Sequence, residues 1–356
     1  MNTVRVAVVD DSTFIRKAIT RMLEGHPQVQ LVGSAGSGEE LLTNLERWQP
    51  DVITLDLDMP GMGGLATLDR VMTQRPTAVI ILSTHSGEGA PMTIEALHRG
   101  ATDFIDKQRY SLVDFEALRG VLLEKIFQVT GVERVDDEEQ ETSESTPLVE
   151  PVTTDVSIPG AYDVVVMGAS TGGPPTIQTI LERLGDSVPV PVVVVQHMPI
   201  GFTQAFAERL NAYLPIRVRE VVVPERLMPE TVYIAAAGNH LRITRQDAEL
   251  RAEISTEPMD TPHVPSIDVL FESAARAVGR RAVGVLLTGM GSDGAKGLAA
   301  LKQKGGYTLA QDEESCIVYG MPRSALALNA INEMGAPEMI GSRLSELITM
   351  PADSRR

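Results

Sequence analysis

Asp163-Val-Val-Val-Met167 runs directly into Gly168-Ala-Ser170-Thr-Gly-Gly173, and few folds accommodate that junction. An unbroken β-branched run has no polar face, so it reads as a strand buried on both sides in a parallel sheet. A glycine-rich turn at the end of such a strand leads into a helix. That turn can do one of two jobs. Its backbone amides can cradle a phosphate, or it can hold a serine hydroxyl above the sheet as a nucleophile.

Short apolar runs recur on both sides of this junction. In the first part of the chain, Val4–Asp10, Val29–Ala35, Asp51–Asp56, Ala78–Ser83 and Asp103–Lys107 read as five strands. Between the first two, Phe14, Ile15, Ala18, Ile19, Met22 and Leu23 keep helical spacing, and Gly25 offers a stop. Regular β-α alternation of this kind predicts a doubly wound parallel sheet. Further along, the runs ending at Met167, Gln196 and Thr288 are each followed by a Gly or Pro turn and a helical pattern, so a second α/β domain is expected. Between the two halves, residues 128–160 lack apolar periodicity and hold nine Asp or Glu against one Arg. Charge repulsion and scattered prolines make that stretch an extended linker. The predicted division is 1–127, 128–160 and 161–350.

A chain of 356 residues can bury two such cores. Its formal charge of −17 argues against a nucleic-acid partner, which needs clustered Lys and Arg. No apolar run is long enough to span a membrane. Val4–Val9 begins without a charged-then-apolar leader, and a cytoplasmic location is expected. The lone Cys316 fits a reducing compartment and reads as a small buried hydrophobe rather than a reactive thiol.

Two groups of residues carry chemistry. Asp10 and Asp11 end the first predicted strand and Asp56 ends the third, on the carboxyl edge where doubly wound sheets bind ligands. Crowded carboxylates repel unless a cation joins them, and Mg²⁺ favours such oxygen donors. Ser83 and Lys107 end two further strands, and together these groups suit phosphoryl transfer. The plainer reading is that one aspartate only caps the following helix, a task Ser12 could also perform.

The second group is Ser170 with His197, which follows the Val192–Gln196 run, and Asp293 in a glycine-rich loop. These can supply a nucleophile, a general base and a carboxylate that orients the base, with Thr171 and Met290 amides as oxyanion donors. His240 could be the base instead, and Asp268 the orienting acid, although spacing favours His197 and Asp293. His263 sits beside Ser266, which reads as the cap of a helix from Val269. The order Ser…His…Asp differs from that of α/β-hydrolases.

Asp10-Asp11, Leu55-Asp56-Leu-Asp-Met-Pro60, Ser83, Phe104 and Lys107 resemble a two-component response-regulator receiver domain. The resemblance implies a flavodoxin-like fold and Asp56 as acceptor of phosphate from a histidine kinase. It also implies Mg²⁺ held by Asp10, Asp11 and Asp56, and Ser83, Phe104 and Lys107 as switch residues. Gln108 departs from it, standing where the family usually has proline. Gly168-Ala-Ser-Thr-Gly-Gly-Pro174, Gln196-His-Met-Pro199, Pro265-Ser-Ile-Asp268, Leu287-Thr-Gly-Met-Gly-Ser-Asp-Gly294 and Tyr319-Gly-Met-Pro322 resemble the catalytic domain of chemotaxis protein-glutamate methylesterases of the CheB type. That resemblance implies a Rossmann-like three-layer domain with Ser170, His197 and Asp293 as its triad and no cofactor for the esterase step. It further implies hydrolysis of glutamyl methyl esters on chemoreceptor cytoplasmic helices, deamidation of receptor glutamines, and an unphosphorylated receiver covering the active site. Two other classes stand beside it: a nucleotide-binding sensor using Gly168–Gly173, and a docking protein with an inert triad.

Overall fold

Each of the five runs of the first half becomes a strand; Val, Ile and Leu dominate Val4–Val9, Val52–Asp56 and Ala78–Ser83, which are buried almost throughout, whereas the edge run Val29–Ala35 is largely half-buried. In the computed structural model, residues 3–83, 89–107, 115–132, 162–186 and 188–349 are described. The chain divides into two units, 1–143 and 144–356. The expected linker falls largely outside the described residues, as does Gln108.

In the first unit the strands are β1 (Val4–Val9), β2 (Val29–Ala35), β3 (Val52–Asp56), β4 (Ala78–Ser83) and β5 (Asp103–Asp106). They form one sheet in the order β2-β1-β3-β4-β5, and every pairing is parallel. The first, third and fifth strands stop one residue short of the predicted ends. Asp51, for example, lies just before β3; its carboxylate accepts the Arg5 amide at 2.8 Å and its own amide donates to Arg5 O at 2.8 Å. On one face Val6, Val8, Ile80 and Leu82 pack with Leu122, Leu123 and Ile126 of helix Phe115–Thr130. Full burial of each such side chain contributes about 1.5–3 kcal/mol. Ser12 caps helix Thr13–Leu23, its side chain accepting from the Ile15 amide, so neither Asp10 nor Asp11 is needed as the cap.

In the second unit the strands are β6 (Val164–Ala169), β7 (Val192–Gln196), β8 (Arg217–Val221), β9 (Glu225–Arg226), β10 (Thr231–Ala235), β11 (His240–Gln246), β12 (Glu249–Ser255), β13 (Ala282–Leu286), β14 (Tyr307–Gln311) and β15 (Glu333–Gly335). Seven of them make a parallel sheet in the order β15-β14-β13-β6-β7-β10-β8. The chain leaves β6 toward β7 on one side and later returns to β13 on the other. The crevice at this switch point lies outside the carboxyl ends of the strands.

The sequence reading did not foresee the small antiparallel sheet β11-β12-β9. Its strands alternate over a short span: Leu241, Ile243, Leu250 and Ala252 face the core, with Arg242 and Arg251 at the positions between. Among the described residues no helix is long and apolar enough to cross a membrane.

Candidate active site

Ser170 leaves the end of β6 on a turn that the chain can make only with glycines. Gly172 has φ +78, the left-handed region, and caps helix Gly173–Leu184. Gly289 passes so close that a Cβ there would lie 2.7 Å from Ser170 Cβ. The Ser170 amide donates to Thr288 O at 3.0 Å, tying the nucleophile turn to the loop after β13. On the other side the Gln196 side-chain amide donates to Ser170 O at 2.9 Å and to His197 O at 3.1 Å. The His197 amide in turn donates to Ala169 O at 3.0 Å. Three strand ends are therefore laced together by main-chain and buried amide hydrogen bonds.

The same turn is a poor phosphate cradle. Such a site uses the free amides of a helix's first turn. Here the Gly173 amide already donates to Ser170 O at 2.8 Å, and the next two residues are prolines without an N–H. The geometry favours a hydroxyl mount over an anion site.

His197 Nε2 lies 2.9 Å from Asp293 Oδ2. A carboxylate only accepts, so the proton sits on Nε2 and the lone pair of the neutral ring is on Nδ1. Nδ1 is buried without a partner. Among the described residues no hydrogen bond engages Ser170 Oγ either. The candidate base and nucleophile thus stand at the ends of adjacent strands with Nδ1 and Oγ uncommitted, a common state of such pairs before substrate binds.

Asp293 is held by more than the histidine. Its Oδ1 accepts from Ser266 Oγ at 2.8 Å and from the Asp268 amide at 2.9 Å, and its Oδ2 accepts from the Ile267 amide at 2.8 Å. Those amides open helix Ile267–Ala277, whose N-terminal dipole favours a negative charge. Burial alone would raise the carboxyl. The hydrogen bond and charge of His197, with the Asp268 and Ile267 amides, outweigh it and hold the group at about 2. Sequence reasoning assigned Ser266 the cap, and it does accept from the Val269 amide at 3.4 Å. Its second task, donating to Asp293, was missed.

The alternatives are occupied elsewhere. His240 is fully buried; its Nδ1 accepts from the Ser266 amide at 3.1 Å and its Nε2 faces Pro258 O at 2.9 Å. With both nitrogens bonded, and burial holding its pKa below the usual histidine value, it acts as a neutral brace for the cap. Asp268 Oδ1 accepts from the Gly297 amide at 2.7 Å, and burial pushes its carboxyl up. His263 is not a hydrogen-bond partner of His197; its ring lies flat against it, centroids 4.1 Å apart. Thr171 follows Ser170 and is buried, and Met290 follows Gly289 and is 44% exposed, so both oxyanion candidates flank the serine. Cys316 is half-buried rather than fully buried, and burial, with Asp312 second, pushes its thiol up to about 12.

In the first unit, Asp10, Asp11 and Asp56 each offer an oxygen within 4.8 Å of the others. Lys107 Nζ lies 2.9 Å from Asp56 Oδ2 and 3.4 Å from Asp10 Oδ2. Burial pushes the Asp10 carboxyl up to about 6, with Asp56 adding to the rise and Lys107 opposing it. One ammonium does not fully offset three carboxylates, and a hard divalent cation fits this donor set. Ser83 Oγ is within hydrogen-bonding distance of Thr93 Oγ1 and Gly89 O, and Phe104 is buried.

The depressed Asp293 pKa makes a stability prediction. A carboxyl held near 2 instead of 3.8 contributes about 2 kcal/mol that is fully present above pH 4 and lost as pH falls toward 2. Urea unfolding should find Asp293→Asn destabilised by about this amount at pH 7, with the gap from wild type closing over that window. A gap that ignores pH would contradict the cradle.

A family model described as a response regulator receiver domain matches residues 6–119, and one described as CheB methylesterase matches residues 165–344. Over 342 residues the chain is 39% identical to a protein-glutamate methylesterase/protein-glutamine glutaminase of Halalkalibacterium halodurans, covering 96% of this chain and 97% of the relative. It is 40% identical to one from Oleidesulfovibrio alaskensis over 90% of this chain and 93% of that protein. Among solved structures, the catalytic domain of the Thermotoga maritima CheB methylesterase superimposes with a TM-score of 0.51. It is 35% identical and covers 53% of this chain and 100% of that one. With both family matches in this order and relatives matched along nearly their whole length, the chain belongs to the protein-glutamate methylesterase/protein-glutamine glutaminase family, a receiver domain followed by a CheB methylesterase domain.

Proposed function

We propose that this chain is a phosphorylation-controlled protein-glutamate methylesterase and glutamine deamidase, with Ser170, His197 and Asp293 as its catalytic triad. The observation that carries the triad is the His197 Nε2–Asp293 bond of 2.9 Å, which leaves a buried, unbonded Nδ1 beside the strand end that bears Ser170.

In this reading Ser170 Oγ attacks the carbonyl carbon of a glutamyl methyl ester while His197 Nδ1 takes its proton. Asp293 fixes the tautomer and balances the imidazolium that forms. The Thr171 and Met290 amides donate to the oxyanion; one such donor is worth about 10²–10³ in rate. As the tetrahedral intermediate collapses, His197 returns the proton to the methoxy oxygen and methanol leaves, with the glutamyl group now esterified to Ser170. Water then attacks the acyl-enzyme with His197 as base again, freeing the glutamate and the serine. A glutamine side chain follows the same course with ammonia as leaving group. These steps need no cofactor.

Asp56 is the proposed phosphate acceptor, and Asp10, Asp11 and Asp56 would hold the Mg²⁺ that neutralises the phosphoryl oxygens. Lys107, Ser83 and Phe104 are the proposed switch residues that answer the phosphate. The phosphodonor is a chemotaxis-type histidine kinase and the substrates are cytoplasmic regions of methyl-accepting chemoreceptors, which places the enzyme in the cytoplasm. The proposed boundaries are 1–127 for the receiver, 128–160 for the linker and 161–350 for the esterase.

Methanol release from methylated receptor, with and without a small-molecule phosphodonor, tests this directly. Ser170→Ala and His197→Ala are each expected to lower turnover by more than about 10³-fold while the protein stays folded. Near wild-type release from His197→Ala would remove it as the base. For the receiver, Asp56→Asn is expected to leave low activity that a phosphodonor no longer raises, and continued activation would rule out Asp56 as acceptor.

A further inference from the structure

Asp293 fixes His197 at one atom only. Held by the chain at Cβ and by the hydrogen bond at Nε2, the imidazole can still rotate about the line joining those two points, and that rotation carries Nδ1 with it. General-base catalysis needs the lone pair in line with the serine proton, so a second restraint on the ring plane is required.

His263 supplies a surface for that restraint. Its ring is 19° from parallel to that of His197, at a centroid separation of 4.1 Å. The short segment that carries it is pinned along its length. Thr261 Oγ1 donates to His263 O at 3.1 Å, Val264 O accepts from the Gly238 amide at 3.1 Å, and the Ser266 amide donates to His240 at 3.1 Å. These bonds fix the backbone on either side of His263; the residue itself is exposed, and the contact that its ring makes is the stack on His197. A parallel stack puts its nitrogens over the face of His197 and out of the plane of Nδ1, so it is badly placed to exchange protons with the base. Desolvation of the stacked ring, then the charge on His197, pushes its protonation down, with Asp293 opposing. It stays a neutral aromatic face when His197 becomes an imidazolium, a pairing that favours the cation.

We propose that His263 is a positioning residue of this esterase: it fixes the plane of the His197 ring by stacking and so keeps Nδ1 aimed at Ser170 Oγ. The proposal rests on His197 as the base. It predicts that the aromatic face matters and the imidazole nitrogens do not.

Methanol release from methylated receptor by the full-length, phosphodonor-activated protein tests it, comparing wild type, His263→Ala, His263→Phe and Ser170→Ala. His263→Ala should lower kcat about tenfold with KM unchanged, and His263→Phe should restore kcat to within about threefold of wild type. Wild-type kcat in the alanine variant, a loss confined to KM, or a folded phenylalanine variant as slow as the alanine one would each overturn the proposal. Where the alanine variant fails to unfold cooperatively on heating, the phenylalanine variant decides alone. Turnover that survives in Ser170→Ala would instead refute the triad itself, so the two failures are told apart.

Discussion

A carboxylate stripped of water at the end of a parallel sheet is costly, and the catalytic unit is arranged around keeping one there. Asp293 receives four hydrogen bonds, from His197, Ser266 Oγ and the amides of Ile267 and Asp268. Transfer of an unpaired carboxylate into such a site would cost several kcal/mol. The donors here offset that cost and hold the group charged at neutral pH. Everything that matters chemically hangs from this anchor: the His197 tautomer, the position of the lone pair on Nδ1, and the charge available to balance an imidazolium.

The anchor depends on the fold in a specific way. Helix Ile267–Ala277 must present its first amides to the loop after β13, and that requires Ser266 at its cap with His240 buried behind it. The parallel sheet does the rest by placing β7, β6 and β13 side by side, so that residues distant in sequence leave neighbouring strand ends. The receiver uses the same geometry for another purpose. Its switch point between β1 and β3 gathers Asp10, Asp11 and Asp56 around Lys107. One architecture thus gathers three carboxylates beside a lysine in one unit and a carboxylate, an imidazole and a hydroxyl in the other.

Much of this was legible in the chain itself. Apolar β-branched runs named the five strands of the first sheet and the central strands β6, β7 and β13 of the second to within a residue or two, because a strand buried on both faces leaves little other pattern; the outer strands β8, β14 and β15 were not named. Glycines and small residues marked the turns, and the reactive residue types stood at strand ends. What escaped depended on contacts between segments far apart in sequence. The hairpin β11–β12 alternates too weakly to stand out beside the apolar runs. Ser266 announced a helix cap but not its bond to Asp293, and Gln196 looked like the last residue of a strand rather than a clip between two turns. Nothing in the spacing of His197 and His263 predicts that their rings stack. Pro174 and Pro175 were visible in the chain, but their bearing on a phosphate cradle emerged only with the helix that they open.

The central claim is that Ser170 is a hydroxyl made nucleophilic by a braced histidine. A serine-directed fluorophosphonate, followed by mass spectrometry of the digested protein, tests it without any receptor. The account predicts a single adduct on Ser170 that forms in wild type and is lost in His197→Ala. Adduct on another residue, or equal labelling of Ser170 when His197 is absent, would contradict it.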